Sequence, residues 1–177
     1  MSGASRLKIP VSSEDHSQGP DSAPLVLVEY GDYQCPYCGR AFPIVKRLQA
    51  ALGDKLKFIF RNFPLSEMHP DALNAAKAAE GAALQNKFWE MHDKLYENQE
   101  ALDLASLVQY AGELGLDGDA FEAASAGPAV ETRISNDFEG GVHSGVNGTP
   151  SFFLNGVRYD GDWSYGPFLK ALKAELK

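Results

Sequence analysis

The stretch Tyr30-Gly31-Asp32-Tyr33-Gln34-Cys35-Pro36-Tyr37-Cys38 holds both cysteines of this 177-residue chain, in C-x-x-C spacing. It directly follows the apolar run Leu25-Val26-Leu27-Val28. Flanked by Pro24 and Gly31, that run reads as a strand buried on both faces. Pro36 suits the first position of a helix, where a missing N–H costs nothing. The stretch therefore predicts a strand, a short loop, and a helix whose N-terminus carries Cys35.

That order has a chemical consequence. The thiolate is the nucleophilic form of cysteine, and the positive end of a helix favours an anion. Cys35 is expected to have a depressed pKa. Cys38, three residues on, lies on the same helix face and reaches the first sulfur. One sulfur attacks a disulfide and the other resolves the mixed disulfide. A purely structural disulfide is a poor alternative, because so short a loop barely constrains the unfolded chain. A zinc site needs about four ligands, whereas there is no second C-x-x-C and His16, His69, His92 and His143 are scattered. No metal is expected. Inert core cysteines would not call for this spacing after such a strand.

A hydrophobic content of 44% argues against disorder, and the length suits one domain with a subdomain. The net charge of −8 disfavours nucleic acid and anionic membrane as partners. No segment has the apolar length of a membrane span. The first residues, Met1 to Lys8, lack the apolar core of a signal peptide. The expected location is cytoplasmic if the chain is complete, and periplasmic or exported if a leader was removed.

Residues 1–24 are rich in Ser, Pro, Asp and Gly and read as a loose arm, with a short edge strand near Ile9. A first central strand covers about Leu25 to Tyr30. Glu29 inside it is costly to bury unless paired or useful; it either passes protons to Cys38 or sits at a rim facing water. The redox helix runs from Pro36 to about Leu52, with Pro43 inside it and Gly53 as its stop. Lys55 to Arg61 is a second strand, parallel to the first through a right-handed crossover. Helical periodicity then takes over to about Gly140: Asp71 to Leu84, a stripe of Phe88, Met91, His92 and Leu95, a stripe from Leu104 to Leu114 after Asp103, Asp119 to Ala126, and a stripe of Val130, Ile134 and Phe138. These stripes read as core. His92 reads as a packed surface histidine and His69 as a loop or cap residue. The sheet resumes over Gly148 to Leu154, turns at Asn155-Gly156 and returns over Val157 to Tyr159, before a closing helix striped by Phe168, Leu169, Leu172 and Leu176. Pro150 stands immediately before that strand. A cis Thr149–Pro150 bond would offer the Thr149 backbone to an incoming peptide beside Cys35; an ordinary trans proline at a strand start is the alternative.

Together these residues carry a resemblance. Val26 through Cys38 resembles the active-site segment of the DsbA-like thiol–disulfide oxidoreductases. Arg61-Asn62-Phe63-Pro64-Leu65, Phe88-Trp89-Glu90-Met91-His92 and Gly145 through Phe153 are similar to later blocks in the same order. The similarity spans roughly Pro24 to Leu176. It implies an α/β, thioredoxin-like fold with an inserted helical subdomain: an arm at 1–23, a thioredoxin-like domain at 24–65 and 142–177, and a helical insertion at 66–141. It also implies that Cys35 attacks, Cys38 resolves, Pro36 and Tyr37 shape the motif, Pro150 is cis, and Thr149 and Pro150 meet substrate. An acid at the Glu29 position lies beneath the cysteines in relatives, as a proton shuttle would. The implied partners are protein or peptide thiols and disulfides and a redox partner; no cofactor is bound, and glutathione enters only as a co-substrate.

Two departures matter. The exported oxidants of that family carry histidine where this chain has Tyr37, and a phenol offers a thiolate at most a hydrogen bond. A less acidic Cys35 and a less oxidising couple are expected here. The absence of an export signal makes reduction or isomerisation of substrates as plausible as oxidation. Rival functions are a glutathione-dependent, glutaredoxin-like reductase, since Cys-Pro-Tyr-Cys is also a glutaredoxin sequence, a non-catalytic binding or holdase module of the same fold, and metal binding by the pair across a dimer.

Overall fold

In the computed structural model, which describes residues 3–176, Leu25–Gly31 forms strand β2, the centre of a five-stranded sheet. The sheet order is β1-β3-β2-β4-β5, with β1 at His16–Gln18, β3 at Leu56–Asn62, β4 at Ser151–Leu154 and β5 at Val157–Tyr159. β2 and β3 are parallel in the register Leu25↔Leu56 to Gly31↔Asn62, and the other pairings are antiparallel. Helix α1 (Pro36–Leu52) makes the crossover between the parallel pair. It continues through Pro43 and ends at Gly53, whose φ of 53° suits a residue without Cβ. The hairpin β4–β5 turns on Asn155 and Gly156, both at positive φ, as a two-residue turn matched to strand twist demands.

Strand alternation sends β2 side chains to two cores. Leu25 and Leu27 pack with Ala41, Val45 and Leu48 of α1 and with Phe168 and Leu172 of α7 (Tyr165–Ala174). Val28 and Tyr30 face the other side, with Phe63, Val146 and Phe138. Phe138 belongs to α6 (Pro128–His143) and stacks on Phe63 at 4.3 Å, so this helix covers the back of the sheet. A third core is helical: the alanines of α2 (Ala72–Ala83) meet Phe88, Met91 and Leu95 of α3 (Phe88–Glu97), Leu107 and Tyr110 of α4 (Leu104–Glu113), and Phe121 of α5 (Gly118–Ser125). Cys35 and Cys38 belong to this third cluster. The two sulfurs thus share one core with the helical layer.

The arm departs from expectation. It is not loose, and its edge strand is at His16–Gln18 rather than near Ile9, which is 51% exposed. Residues 5–7 join the β5 edge, with Leu7 N–H donating to Gly156 at 2.9 Å and Arg158 N–H donating to Ser5 at 2.8 Å. The chain then crosses to pair with β3 at the opposite edge. Arg61 holds that crossing: it donates to both Asp15 carboxylate oxygens at 2.8 and 3.0 Å, to the Ile9 carbonyl at 2.9 Å and to the Tyr30 hydroxyl at 3.0 Å. Composition suggested looseness, but a buried guanidinium needs partners, and the arm supplies them.

The Asp15–Arg61 side chains are 8% and 4% exposed. Arg61→Met leaves a buried carboxylate without its cation and should cost about 3–5 kcal/mol in urea unfolding. A loss under about 1 kcal/mol, the scale of an exposed ion pair, would contradict this account of the arm.

Candidate active site

The site is built where β2 ends and α1 begins. Cys35 is the N-cap residue of α1, with extended backbone angles (φ −68°, ψ 124°), and Pro36 fills the first helical position. Cys35 is 3% exposed and Cys38 is fully buried, both as free thiols, while Tyr37 between them is 55% exposed. From across the sheet comes the loop before β4, where the Thr149–Pro150 peptide is cis. The Thr149 carbonyl accepts from the Cys35 thiol at 3.6 Å.

The turn carrying Cys35 is bracketed on two sides. Asp32, buried, accepts from the N–H groups of Gln34 at 2.8 Å and Cys35 at 3.2 Å. Its second oxygen accepts from Leu65 N–H at 2.9 Å and from His69 Nδ1 at 2.8 Å, the tautomer that a carboxylate partner selects. Gln34 adds a link to the start of α2 by accepting from Asp71 N–H at 2.8 Å. From the helical side, Gln99 donates to the carbonyls of Tyr33 and Cys35, each at 2.9 Å.

Electrostatics divide the two sulfurs. Cys35 is lowered to about 5, chiefly by a hydrogen bond from the Cys38 thiol, which outweighs burial; Thr149 and the N–H groups of Cys38 and Tyr37 add to it. The Thr149 hydroxyl has no other hydrogen-bond partner, leaving it available to a sulfur anion. The helix terminus therefore contributes as the sequence suggested, but the neighbouring thiol contributes more. Burial pushes Cys38 well above the ordinary thiol range, helped by its bond to Cys35 and by the charge of Glu29.

Glu29 does not sit at a rim. It is 3% exposed, Oε1 lacks a partner, and burial followed by repulsion from Cys35 raises it to about 8. Its neighbours in β2 explain the placement: Glu29 shares the face of Leu25 and Leu27, against α1. His92 is likewise not a surface residue. It is buried among Tyr33, Phe42, Phe60, Trp89 and Tyr96, with Nδ1 2.9 Å from Asp93, and desolvation lowers its pKa. His69 is in a loop, yet it is a partner of Asp32 and not a bystander.

Sequence reasoning passed over Asp32 and Gln99. An aspartate two and three residues ahead of exposed N–H groups at a helix start has a recognisable signature; Gln99, distant in the chain, carries none. Among the described residues no group of His, Cys, Asp and Glu could hold a metal ion, and no helix is long and apolar enough to cross a membrane.

Comparison with known proteins agrees with this architecture. Residues 12–174 match the thioredoxin family model. A thioredoxin-like oxidoreductase from Silicibacter pomeroyi superposes with a TM-score of 0.82 at 26% identity, covering 92% of both chains. Oxidised BdbD from Bacillus subtilis gives 0.82 at 24% identity, covering 99% of this chain and 97% of that one. The thiol-disulfide exchange protein α-DsbA2 from Wolbachia pipientis gives 0.79 at 23% identity, covering 93% and 88%. The fold is thus the thioredoxin-like fold of the DsbA type. In sequence the chain is 41% identical over 162 residues to the Na(+)/H(+) antiporter NhaA 1 of Mycolicibacterium vanbaalenii, and 44% identical over 171 residues to that of Salinispora arenicola. These matches cover 90% and 96% of this chain but 26% of each antiporter, so the chain spans about a quarter of those proteins' length.

Glu29 supplies a pH test. Its folded value of about 8 lies above the ordinary 4.5, so the native state holds a proton that the unfolded state has released. Stability falls as pH rises between those two values. Glu29→Gln, which keeps the shape without the proton, should therefore gain on the native protein progressively from about pH 4.5 to about 8 in denaturant unfolding. A constant difference across that window would show that Glu29 is not buried as a neutral acid.

Proposed function

This chain belongs to the thioredoxin family, and we propose that it is a thiol–disulfide oxidoreductase acting on protein or peptide substrates through Cys35 and Cys38. The observation that carries the reading is the opposed pKa values of two adjacent sulfurs: one lowered to about 5 at a helix start and bordered by the cis-proline loop, the other raised and fully buried. In the reducing direction the Cys35 thiolate attacks one sulfur of a substrate disulfide, and the other substrate sulfur leaves as a thiolate and takes a proton. Cys38 then gives up its proton and attacks the Cys35 sulfur, expelling the second substrate thiolate. The substrate gains two electrons and the pair closes to a disulfide. Oxidation is the same path reversed.

Each residue has a role in that path. Pro36 starts the helix that presents the sulfur, and the N–H groups behind it receive the charge. Cys38 needs a base because burial holds its proton. Glu29, electrostatically linked to both sulfurs, is the buried carboxyl suited to take that proton in its ionised form, which becomes populated as pH nears about 8. Thr149 and Pro150 border Cys35 on the open side, and the Thr149 carbonyl that now meets the thiol is the group an extended substrate would pair with. Tyr37 offers no cation to the thiolate. The value of about 5 accordingly lies above the roughly 3.5 of the most acidic relatives, whose low pKa goes with strong oxidation.

Cys35→Ser should abolish insulin reduction, and Cys38→Ser should accumulate a mixed disulfide visible on a non-reducing gel. Full retention of insulin reduction in Cys35→Ser would favour a binding module instead. Turnover of a glutathione mixed disulfide that survives Cys38→Ser would favour the glutaredoxin-like reading. Tyr37→His should lower the Cys35 pKa and make the couple more oxidising. The native reduction potential decides direction: a value near about −120 mV favours oxidation of substrates, and one near about −270 mV favours reduction.

A further inference from the structure

The turn that carries Cys35 is gripped from the helical layer by one side chain, Gln99, in the turn that follows α3. Its single amide nitrogen donates at 2.9 Å to the Tyr33 carbonyl and at 2.9 Å to the Cys35 carbonyl. The Cys35 carbonyl also accepts from Gly39 N–H at 3.0 Å, so the amide meets α1 where its backbone ladder begins. A second observation points to the same contact. A Cβ placed on Gly39 would lie 2.0 Å from Gln99 Oε1 and 2.7 Å from its Cδ. The three atoms nearest that Cβ all belong to the Gln99 amide, which occupies the space a side chain after Cys38 would need.

We propose that Gln99 is a positioning residue for Cys35, holding the two carbonyls so that the sulfur stays aimed at its hydrogen-bond donors. The physical argument has two parts. First, an amide shared between the carbonyls of residues 33 and 35 fixes the extended backbone of Cys35, and this conformation presents Sγ to the N–H groups of Tyr37 and Cys38. Second, the carbonyl oxygens are the negative ends of dipoles beside a developing anion, and the amide hydrogens offset them. The charged groups around the turn do not substitute for it. Asp32 grips the same turn from the opposite side through N–H groups, and Glu29 lies beneath and opposes the anion. The inference serves the exchange reaction proposed above, but its direct effect is on the thiolate, which can be read without any disulfide substrate.

The experiment is the pH dependence of Cys35 alkylation by iodoacetamide in the full chain, with thermal unfolding recorded for each variant. Gln99→Ala should move the labelling midpoint upward and slow labelling near pH 5 by about three- to tenfold, the scale of one or two ordinary hydrogen bonds. Gln99→Glu should slow it at least as much, since a carboxylate cannot donate and adds charge. Gly39→Ala should reproduce the shift by displacing the amide, and should add little in a Gln99→Ala background. A folded Gln99→Ala with an unchanged midpoint overturns the proposal, as does a Gly39→Ala effect equally large with and without Gln99. Failure of the exchange reading is distinct: native protein without disulfide turnover would still show the midpoint difference between native and Gln99→Ala.

Discussion

One buried carboxylate organises the loop on which everything else rests. Asp32 accepts from Gln34, Cys35 and Leu65 N–H groups and from the His69 ring, joining the end of β2, the start of α1 and the connection from β3 to α2. A carboxylate buried to this degree would be expensive if any oxygen lacked a donor, and here each has two. In turn, the donors would be orphans at a strand-to-helix turn without it. The consequence reaches the sulfur. With the N–H groups of residues 34 and 35 satisfied from behind, those of Tyr37 and Cys38 remain directed at Cys35 Sγ.

Beneath that turn three acidic groups share a region with little water, and burial acts on them in opposite senses to what reactivity would need from each alone. Cys38 and Glu29 are pushed up and stay protonated; Cys35 is lowered because its neighbours donate to it. Anions at all three would repel strongly in so low a dielectric, so the site holds one readily and resists a second. Disulfide exchange transfers that anion from sulfur to sulfur while a proton moves the other way. The helical layer matters here because its aromatic residues, Phe88 and Tyr96 among them, share the cysteines' cluster and exclude solvent around them.

The path of the chain was largely legible before any coordinates. The buried run before the cysteines, Pro36 at the helix start, Gly53 at its end and Asn155-Gly156 between two short strands are local signals, and each element falls within a residue or a few of where periodicity puts it. The failures share a cause. The arm looked loose because its composition is polar, but Arg61, 46 residues after Asp15, makes it a clasp. His92 reads as a surface residue because histidines are usually exposed, yet its neighbours in space are a ring of aromatic side chains. For Glu29 the sequence leaves a buried shuttle and a rim position open, and the fold selects the buried one.

The sequence by itself determined the chemistry on offer: two sulfurs in reach of one another, placed where a helix begins, after a strand too apolar to lie anywhere but in the interior. These follow from spacing and local backbone preference, which act within a few residues. What only the tertiary structure decided is how far the two sulfurs are driven apart in pKa and what holds the acidic one. That depends on Asp32 meeting His69, on Gln99 reaching back over Gly39, and on Thr149 arriving from 114 residues away. Hydrogen bonds and desolvation act through space, so their partners are set by the packing of layers and leave no periodic trace in the chain.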